Sequence, residues 1–192
     1  MNINSFTRAY CQNLQTLLAA LSTDELQKII DIFLQARSEC RTIYFMGNGG
    51  SAATASHFCE DLAEVGRKTG KKLFNTSSLA ANTPYITALG NDYGFEYIFS
   101  RQIEGCLRSG DVLVAISASG NSPNLINAIK LGNERGARTI GLLGFDGGIL
   151  ASLCAERIII RTEKGAYGPV EDVHLVIDHL LTSALREILQ AE

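Results

Sequence analysis

The sequence lacks the features that mark several classes of protein. It has no run of lysine and arginine and no basic helix face, and its net charge is -3 over 192 residues. Because such basic surfaces are typical of proteins that bind nucleic acid or anionic membranes, we expect neither partner. No stretch reaches the ~18 apolar residues of a membrane-spanning helix, and the opening MNINSFTRAYCQN has no basic segment before an apolar core. We therefore expect neither a membrane span nor a secretory signal.

Cysteines are few and their spacing is uninformative. The chain has five, and no two of them form a CxxC pair: Cys11, Cys40, Cys59, Cys106 and Cys154. An odd number at wide spacing disfavours both a disulfide framework and a zinc knuckle. We expect buried, reduced thiols and a cytoplasmic protein.

The remaining composition is typical of one globular domain. Hydrophobic residues make up 46% of the chain and charged residues 19%, which predicts a single domain over residues 1–192. From residue 42 onward, short apolar runs alternate with helical patterns, as in an α/β protein with a parallel sheet. The predicted strands are 42–46, 72–76, 111–117, 139–144 and 157–161. The predicted helices are 51–65, 94–107, 122–135 and 170–190.

Two further helices are predicted before this α/β core of residues 41–192. Apolar residues recur at helical spacing from Phe6 to Leu21, and again from Leu26 to Leu34 after a possible N-cap at Ser22. The helices of residues 1–40 are apolar on more than one face, so we expect part of their surface to be buried against another subunit. Packing within the chain alone is the alternative.

A glycine-rich loop follows the first predicted strand. Residues 47–52, GNGGSA, satisfy the G-x-G-x-x-G/A pattern of dinucleotide-binding proteins. Those proteins also need an acidic residue at the end of the second strand to bind a ribose hydroxyl. Residues 75–78 here are NTSS, so the pattern alone is weak support for a dinucleotide.

A serine-rich loop follows the third predicted strand and opens a helix. Residues 117–122 are SASGNS. Three hydroxyls and several backbone N–H groups at a helix N-terminus form an anion site that suits a phosphate monoester. A serine-rich turn with a helix cap is the structural alternative. The carboxyl ends of parallel strands lie at one edge of a sheet, so this loop and the glycine-rich loop are expected to be neighbours.

Four segments together resemble the sugar isomerase (SIS) domain family, most closely its bacterial phosphoheptose isomerase branch. They are GNGGSA, NDYGFEYIFSRQIE (91–104), GDVLVAISASGNSPN (110–124) and EDVH…H (171–179). The resemblance implies a flavodoxin-like fold, a homotetramer with shared active sites, and interconversion of sedoheptulose 7-phosphate and a heptose phosphate. The substrate-binding residues it predicts, with those of the two loops, are Asn48, Gly49, Gly50, Ser51, Asp92, Ser117, Ala118, Ser119, Ser122 and Glu171.

An aldose–ketose isomerase needs a base beside carbon and an acid beside oxygen. His57 and Asp61 are four residues apart on a predicted helix, and so can share a face. Glu171 and His179 are eight residues apart, about 80° on a helical wheel. The resemblance implies that Asp61 and His179 are catalytic, and that zinc is held by His57, Asp61, Glu171 and His179.

Other polar residues near these have less definite predictions. His174 is expected to be structural or to support a neighbouring group, and Asp172 and Asp178 are candidates for orienting an imidazole. Asp92 either binds a sugar hydroxyl or caps the helix predicted at 94–107.

Two residues depart from the family pattern and keep other functions open. Asp61 stands where the family has Glu, and Glu171 where it has Gln; residues 68–82 also differ, which indicates another sugar. The alternatives are a non-catalytic SIS module that binds a phosphosugar or a protein, and an isomerase of a different sugar phosphate. His179, which non-catalytic modules lack, favours the enzyme, whereas Asp61 favours the module.

Overall fold

Five parallel strands form the centre of the molecule. The computed structural model describes residues 1–192, and its strands are β1 (Thr42–Gly47), β2 (Asn75–Ser78), β3 (Val112–Ser117), β4 (Arg138–Gly144) and β5 (Glu156–Ile160). Their order in the sheet is β2-β1-β3-β4-β5, with Ile43 opposite both Thr76 and Val112. The predicted five-stranded parallel sheet is confirmed. The order reverses between β1 and β3, where ligands bind in such sheets.

Helices cover both faces of this sheet. They are α1 (Ile3–Ala19), α2 (Thr23–Ser38), α3 (Gly50–Thr69), α4 (Thr83–Tyr93), α5 (Ser100–Ile103), α6 (Pro123–Glu134), α7 (Leu150–Leu153) and α8 (Tyr167–Ala191), with a 3₁₀ turn at Phe95–Tyr97. Alternate strand residues point to opposite faces, so Phe45 packs with α2, α3 and α8, and Met46 with α4 to α7. None of the helices is both long and apolar enough to cross a membrane.

Two predicted elements are misplaced. The helix predicted at 94–107 is wrong, because Gly94 has a φ of +99° and ends α4, which had not been predicted. Pro84 in the first turn and the Asn82 side chain, which accepts from the N–H of Tyr85, mark where α4 begins. The second strand lies at 75–78 instead of 72–76, because polar NTSS forms the sheet edge while Phe74 enters the core.

The two N-terminal helices differ in how they pack. Helix α2 buries Ile29 and Phe33 in the core, whereas α1 has no buried residue, and its Ile3 and Phe6 are exposed. Helix α1 is held to α8 by a hydrogen bond of 2.5 Å from the Tyr10 hydroxyl to Asp172. This bond and the carboxylate charge raise the pKa of Tyr10 to about 12. Asp172 therefore fastens a helix and does not orient an imidazole.

Candidate functional site

A polar cavity lies at the carboxyl ends of β1 and β3, between the N-termini of α3 and α6. We call it the serine cavity; its volume is about 190 Å³, and it is lined by Asn48, Ser51, Ile116, Ser117, Ala118, Ser119, Ser122, Tyr167 and Glu171. Both predicted loops contribute to it, as their strand positions indicated. The unpaired N–H groups of two helix N-termini give it a positive potential suited to an anion.

Hydrogen bonds hold the serine-rich loop in shape. The Ser117 hydroxyl accepts from the N–H of Gly120 at 3.0 Å, and the Asn121 amide donates to the Ser119 carbonyl at 2.9 Å. The Asn121 side-chain oxygen then accepts from the N–H of Ile149 at 3.1 Å. The loop is thereby fixed to the segment after β4, which presets the directions of its serine hydroxyls.

The glycine-rich loop forms the opposite wall. Gly49 has a φ of +56° and precedes α3, which leaves Ser51 buried in the first turn. Asn48 and Asn124 exchange two amide hydrogen bonds of 2.9 Å and so tie the glycine-rich loop to the first turn of α6. A side chain on Gly50 would collide with the Glu171 carboxylate. Glycine at 50 therefore provides the space in which Glu171 reaches the cavity.

Two histidines and two aspartates meet further along α3 and α8; we call them the His/Asp cluster. Nε2 of His57 lies 3.1 Å from Nε2 of His179 and 3.4 Å from Oδ2 of Asp61. Nε2 of His179 lies 3.7 Å from the same oxygen. One ligand atom each from His57, Asp61, Asp178 and His179 lies within 4.8 Å of the others, a grouping that could hold a metal ion.

Asp178 differs from the other members because it is fully buried. Its relative exposure is 0%, and neither carboxylate oxygen has a hydrogen-bond partner. Burial raises its pKa to about 8, and the charges of Asp61 and Glu60 act in the same direction. From the sequence, Asp178 is predicted only to orient an imidazole. The burial of Asp178 could have been inferred from the sequence, because it is the single acid within the stretch LVIDHLL, which is otherwise apolar except for His179.

Glu171 is not part of the His/Asp cluster within one chain. It lines the serine cavity, whereas His179 is eight residues further along α8, a rise of about 12 Å. Three of the four predicted metal ligands are thus brought together, and Asp178 occupies the fourth place in the cluster. The helical wheel gave the angle between Glu171 and His179 correctly but carries no information about their axial separation.

Asp92 belongs neither to the serine cavity nor to the His/Asp cluster of its own chain. It is an exposed residue in the last turn of α4, accepts a hydrogen bond from the Asn91 side chain at 2.9 Å, and is absent from the cavity lining. Because the helix predicted at 94–107 is not formed, the capping interpretation of Asp92 is wrong. Its binding to a sugar hydroxyl stays a prediction.

Comparisons with known proteins identify the family. The sequence model of the SIS domain matches residues 9–144. Phosphoheptose isomerase of Nitratiruptor sp. is 41% identical over 157 residues, which cover 81% of this chain and 82% of the relative. The enzyme of that name from Citrifermentans bemidjiense is 37% identical and covers 94% and 92%. This chain belongs to the phosphoheptose isomerase branch of the SIS domain family.

The fold agrees with that family. The structure of phosphoheptose isomerase from Neisseria gonorrhoeae superposes with a TM-score of 0.83 at 31% identity, over 95% of this chain and 96% of that one. In this SIS domain the glycine-rich loop, residues 47–52, forms one wall of the serine cavity, because Asn48 and Ser51 line it. Asn48 and Ser51 face the same space as Ser119 and Ser122, so an amide and three hydroxyls surround a cavity that suits a compact anion.

Proposed function

We propose that this protein is a phosphosugar ketose–aldose isomerase that converts sedoheptulose 7-phosphate to heptose 7-phosphate. The observation that carries the proposal is that helices α3 and α8 bear both parts of a site. Their N-terminal ends line the serine cavity, and about two to three turns further along these helices His57, Asp61 and His179 come together. One part suits a phosphate and the other suits proton transfer.

The serine cavity binds the substrate phosphate in this proposal. The hydroxyls of Ser51, Ser119 and Ser122, with the N–H groups at the starts of α3 and α6, supply donors without a cation. The preset serine-rich loop needs little ordering when the anion enters. Asn48 and Glu171 lie on the same cavity wall and can bond to the sugar hydroxyls nearest the phosphate.

Asp61 and His179 carry the proton transfers. The Asp61 carboxylate removes the proton from C1 of the ketose, and the electron pair left behind forms the C1–C2 double bond of an enediol as the C2 carbonyl oxygen gains a proton from His179. Return of a proton to C2, with loss of the proton on the C1 oxygen to His179, gives the aldose. Oδ2 of Asp61 faces both histidines, which leaves Oδ1 for the proton of the substrate.

The His/Asp cluster also fits a zinc ion. Zinc binds imidazole nitrogen and carboxylate oxygen at about 2.0 to 2.2 Å, so two ligands of a tetrahedral site are about 3.4 Å apart. The three separations between His57, Asp61 and His179 are 3.1, 3.4 and 3.7 Å. Bound there, zinc would take the Nε2 lone pair of His179. It would then polarise the carbonyl and hydroxyl oxygens of the substrate itself, in place of proton donation from that nitrogen.

A homotetramer with shared active sites completes the proposal. His57 and His179 have side chains 47% and 54% exposed, although isomerisation through an enediol requires that water be excluded. Exposed apolar residues lie on α1 and beside His179, namely Ile3, Phe6, Leu175, Val176 and Leu180. Covering them with a second subunit would close the site. Residues 1–40 then serve oligomerisation, while residues 41–192 form the catalytic core.

The cytoplasm is the proposed location, and a phosphorylated sugar the proposed partner. All five cysteines are free, as expected for a reducing compartment. The expectation that they are buried is wrong for most of them, because only Cys154 is buried, whereas Cys59 is half-buried and Cys11, Cys40 and Cys106 are exposed.

One observation favours a non-catalytic phosphosugar-binding module. Asp61 is one methylene shorter than the Glu of the family pattern, and a displacement of about 1 Å at a reacting centre can cost about a hundredfold in rate. Incubation with a panel of ketose phosphates in deuterated water, followed by NMR, separates the two functions. We expect aldose product and deuterium at C2 with sedoheptulose 7-phosphate. Binding without product or exchange on every sugar would establish the module instead.

A further inference from the structure

The strongest feature that the proposed reaction does not use is Asp178. We propose that Asp178 is a metal ligand, so that His57, Asp61, Asp178 and His179 form a complete four-ligand site for zinc within one chain. Its ligand atom lies within 4.8 Å of those of the other three residues. The inference concerns the same region as the proposed function, but it holds or fails without reference to turnover.

The burial of Asp178 is the first argument. A carboxylate taken out of water costs several kcal/mol unless it is paired, hydrogen-bonded or bound to a metal. Asp178 has 0% exposure and no partner for either oxygen. The other charged residues near it, Asp61 and Glu60, are both acidic. No donor within the chain contacts this carboxyl group, whereas a cation between it and the histidines would compensate its charge.

The charge of the cluster is the second argument. A metal binds these groups with both acids ionised and both imidazoles neutral. The cluster then carries a charge of -2, which one divalent ion neutralises. Each histidine directs Nε2 toward the cluster, so a metal-free protein must place a proton between two nitrogens 3.1 Å apart. With a metal, both nitrogens act as donors of lone pairs, which is how neutral imidazole binds zinc.

The arrangement of ligands on the helices is the third argument. His57 and Asp61 are one turn apart on α3, whereas Asp178 and His179 are adjacent on α8. Asp178 directs its side chain inward and His179 toward solvent. The cluster therefore has a closed inner side and an open outer side. A fourth ligand from inside the chain leaves Glu171 free to act in the serine cavity.

Metal binding by variants tests the inference without substrate. Asp178→Asn keeps the side-chain shape but removes the charge, and Asp178→Leu cannot bind a metal at all. Glu60→Gln is the matched control, because it removes an exposed acid near the cluster that is not one of its members. Zinc affinity is measured by calorimetry on chelator-treated protein, and Co²⁺ absorption reports the coordination geometry. Thermal unfolding in a chelator shows that each variant folds.

We expect both Asp178 variants to bind zinc at least ten- to hundredfold more weakly than the unaltered protein, the loss that even supporting residues of metal sites cause. The cobalt spectrum should change as well. Glu60→Gln and Glu171→Gln should retain the affinity of the unaltered protein. Unchanged affinity in both Asp178 variants, or no zinc binding by the unaltered protein at micromolar concentration, would overturn the inference. Loss in Glu171→Gln without loss in Asp178→Asn would overturn it too.

Discussion

Replacing Gly120 by alanine should disable the serine-rich loop. Gly120 has a φ of +64°, and a Cβ at this position would overlap the carbonyl group of Gly147 in the segment after β4. The obstacle is backbone, so it cannot rotate away as a side chain would. The loop must move outward, together with Ser119 and the Asn121 bonds that fasten it to Ile149.

Two costs add up at this position. An alanine in the left-handed region costs about 1 to 2 kcal/mol, and forcing an extra methyl group against packed backbone costs about 1 to 3 kcal/mol more. Gly70 offers a matched control, since its φ is +66° but a Cβ there would meet no atom within 4 Å. Gly70→Ala therefore has only the first cost. The stability difference between the variants isolates the contact with Gly147.

Thermal unfolding and phosphosugar binding measure the two consequences. We expect Gly120→Ala to unfold at a temperature roughly 3 to 10 °C below that of Gly70→Ala at equal protein concentration. Phosphosugar affinity should fall at least tenfold in Gly120→Ala, because Ser119 leaves the cavity, and stay unchanged in Gly70→Ala. Equal unfolding temperatures and equal affinities would show that the loop yields to the added methyl group. The preset anion site would then be refuted.

Three further predictions concern catalysis, assembly and pH. His179→Gln should lower isomerisation by about 10² to 10⁴ with little change in phosphosugar affinity; full turnover would make His179 structural. Light scattering should report about four chains, and a monomer at micromolar concentration would contradict the proposed assembly. Burial lowers the pKa of His174 from 6.5 to about 4. Between these pH values the unfolded state binds a proton that the folded state does not, so the free energy of unfolding should fall as the pH falls from 6.5 to 4. Asp178, with its pKa raised, opposes this trend. In metal-free Asp178→Asn, urea unfolding should therefore show a fall of up to about 3 kcal/mol from pH 6.5 to 4, and a flat profile would exclude a buried, neutral His174.

The sequence was most informative where local pattern and tertiary burial agree. Strand β3 is buried throughout, and its apolar run was predicted to within one residue. The loops after β1 and β3 were predicted as neighbours because strand polarity alone brings them to one edge. Strand β2 was misplaced because its residues, NTSS, are polar. An edge strand paired on one side can be polar, and propensity does not detect it.

Helix α4 shows a second limit. Residues 83–93 have a weak apolar periodicity and bury only Leu89, so no stripe marked them as a helix. The helix predicted instead at 94–107 followed the apolar residues Ile98, Phe99 and Ile103, which are buried from a 3₁₀ turn and one short helix. The backbone of Gly94 decided the outcome, and its φ could not be inferred from spacing.

The composition of the His/Asp cluster depends on distance along a helix as well as on angle. Glu171 and His179 project near one another on a wheel, yet a rise of about 1.5 Å per residue keeps them about 12 Å apart. Asp178 projects about 100° from His179, little further than Glu171 at about 80°, so the wheel does not separate the two candidates. It enters the cluster because α3 packs against α8 and brings His57 and Asp61 within reach of both residues. A buried acid without a hydrogen-bond partner is costly in any apolar core. A buried acid beside two imidazoles and a second acid is therefore a reason to look for a cation. This holds here even though the sequence had predicted Glu171, and not Asp178, as the fourth metal ligand.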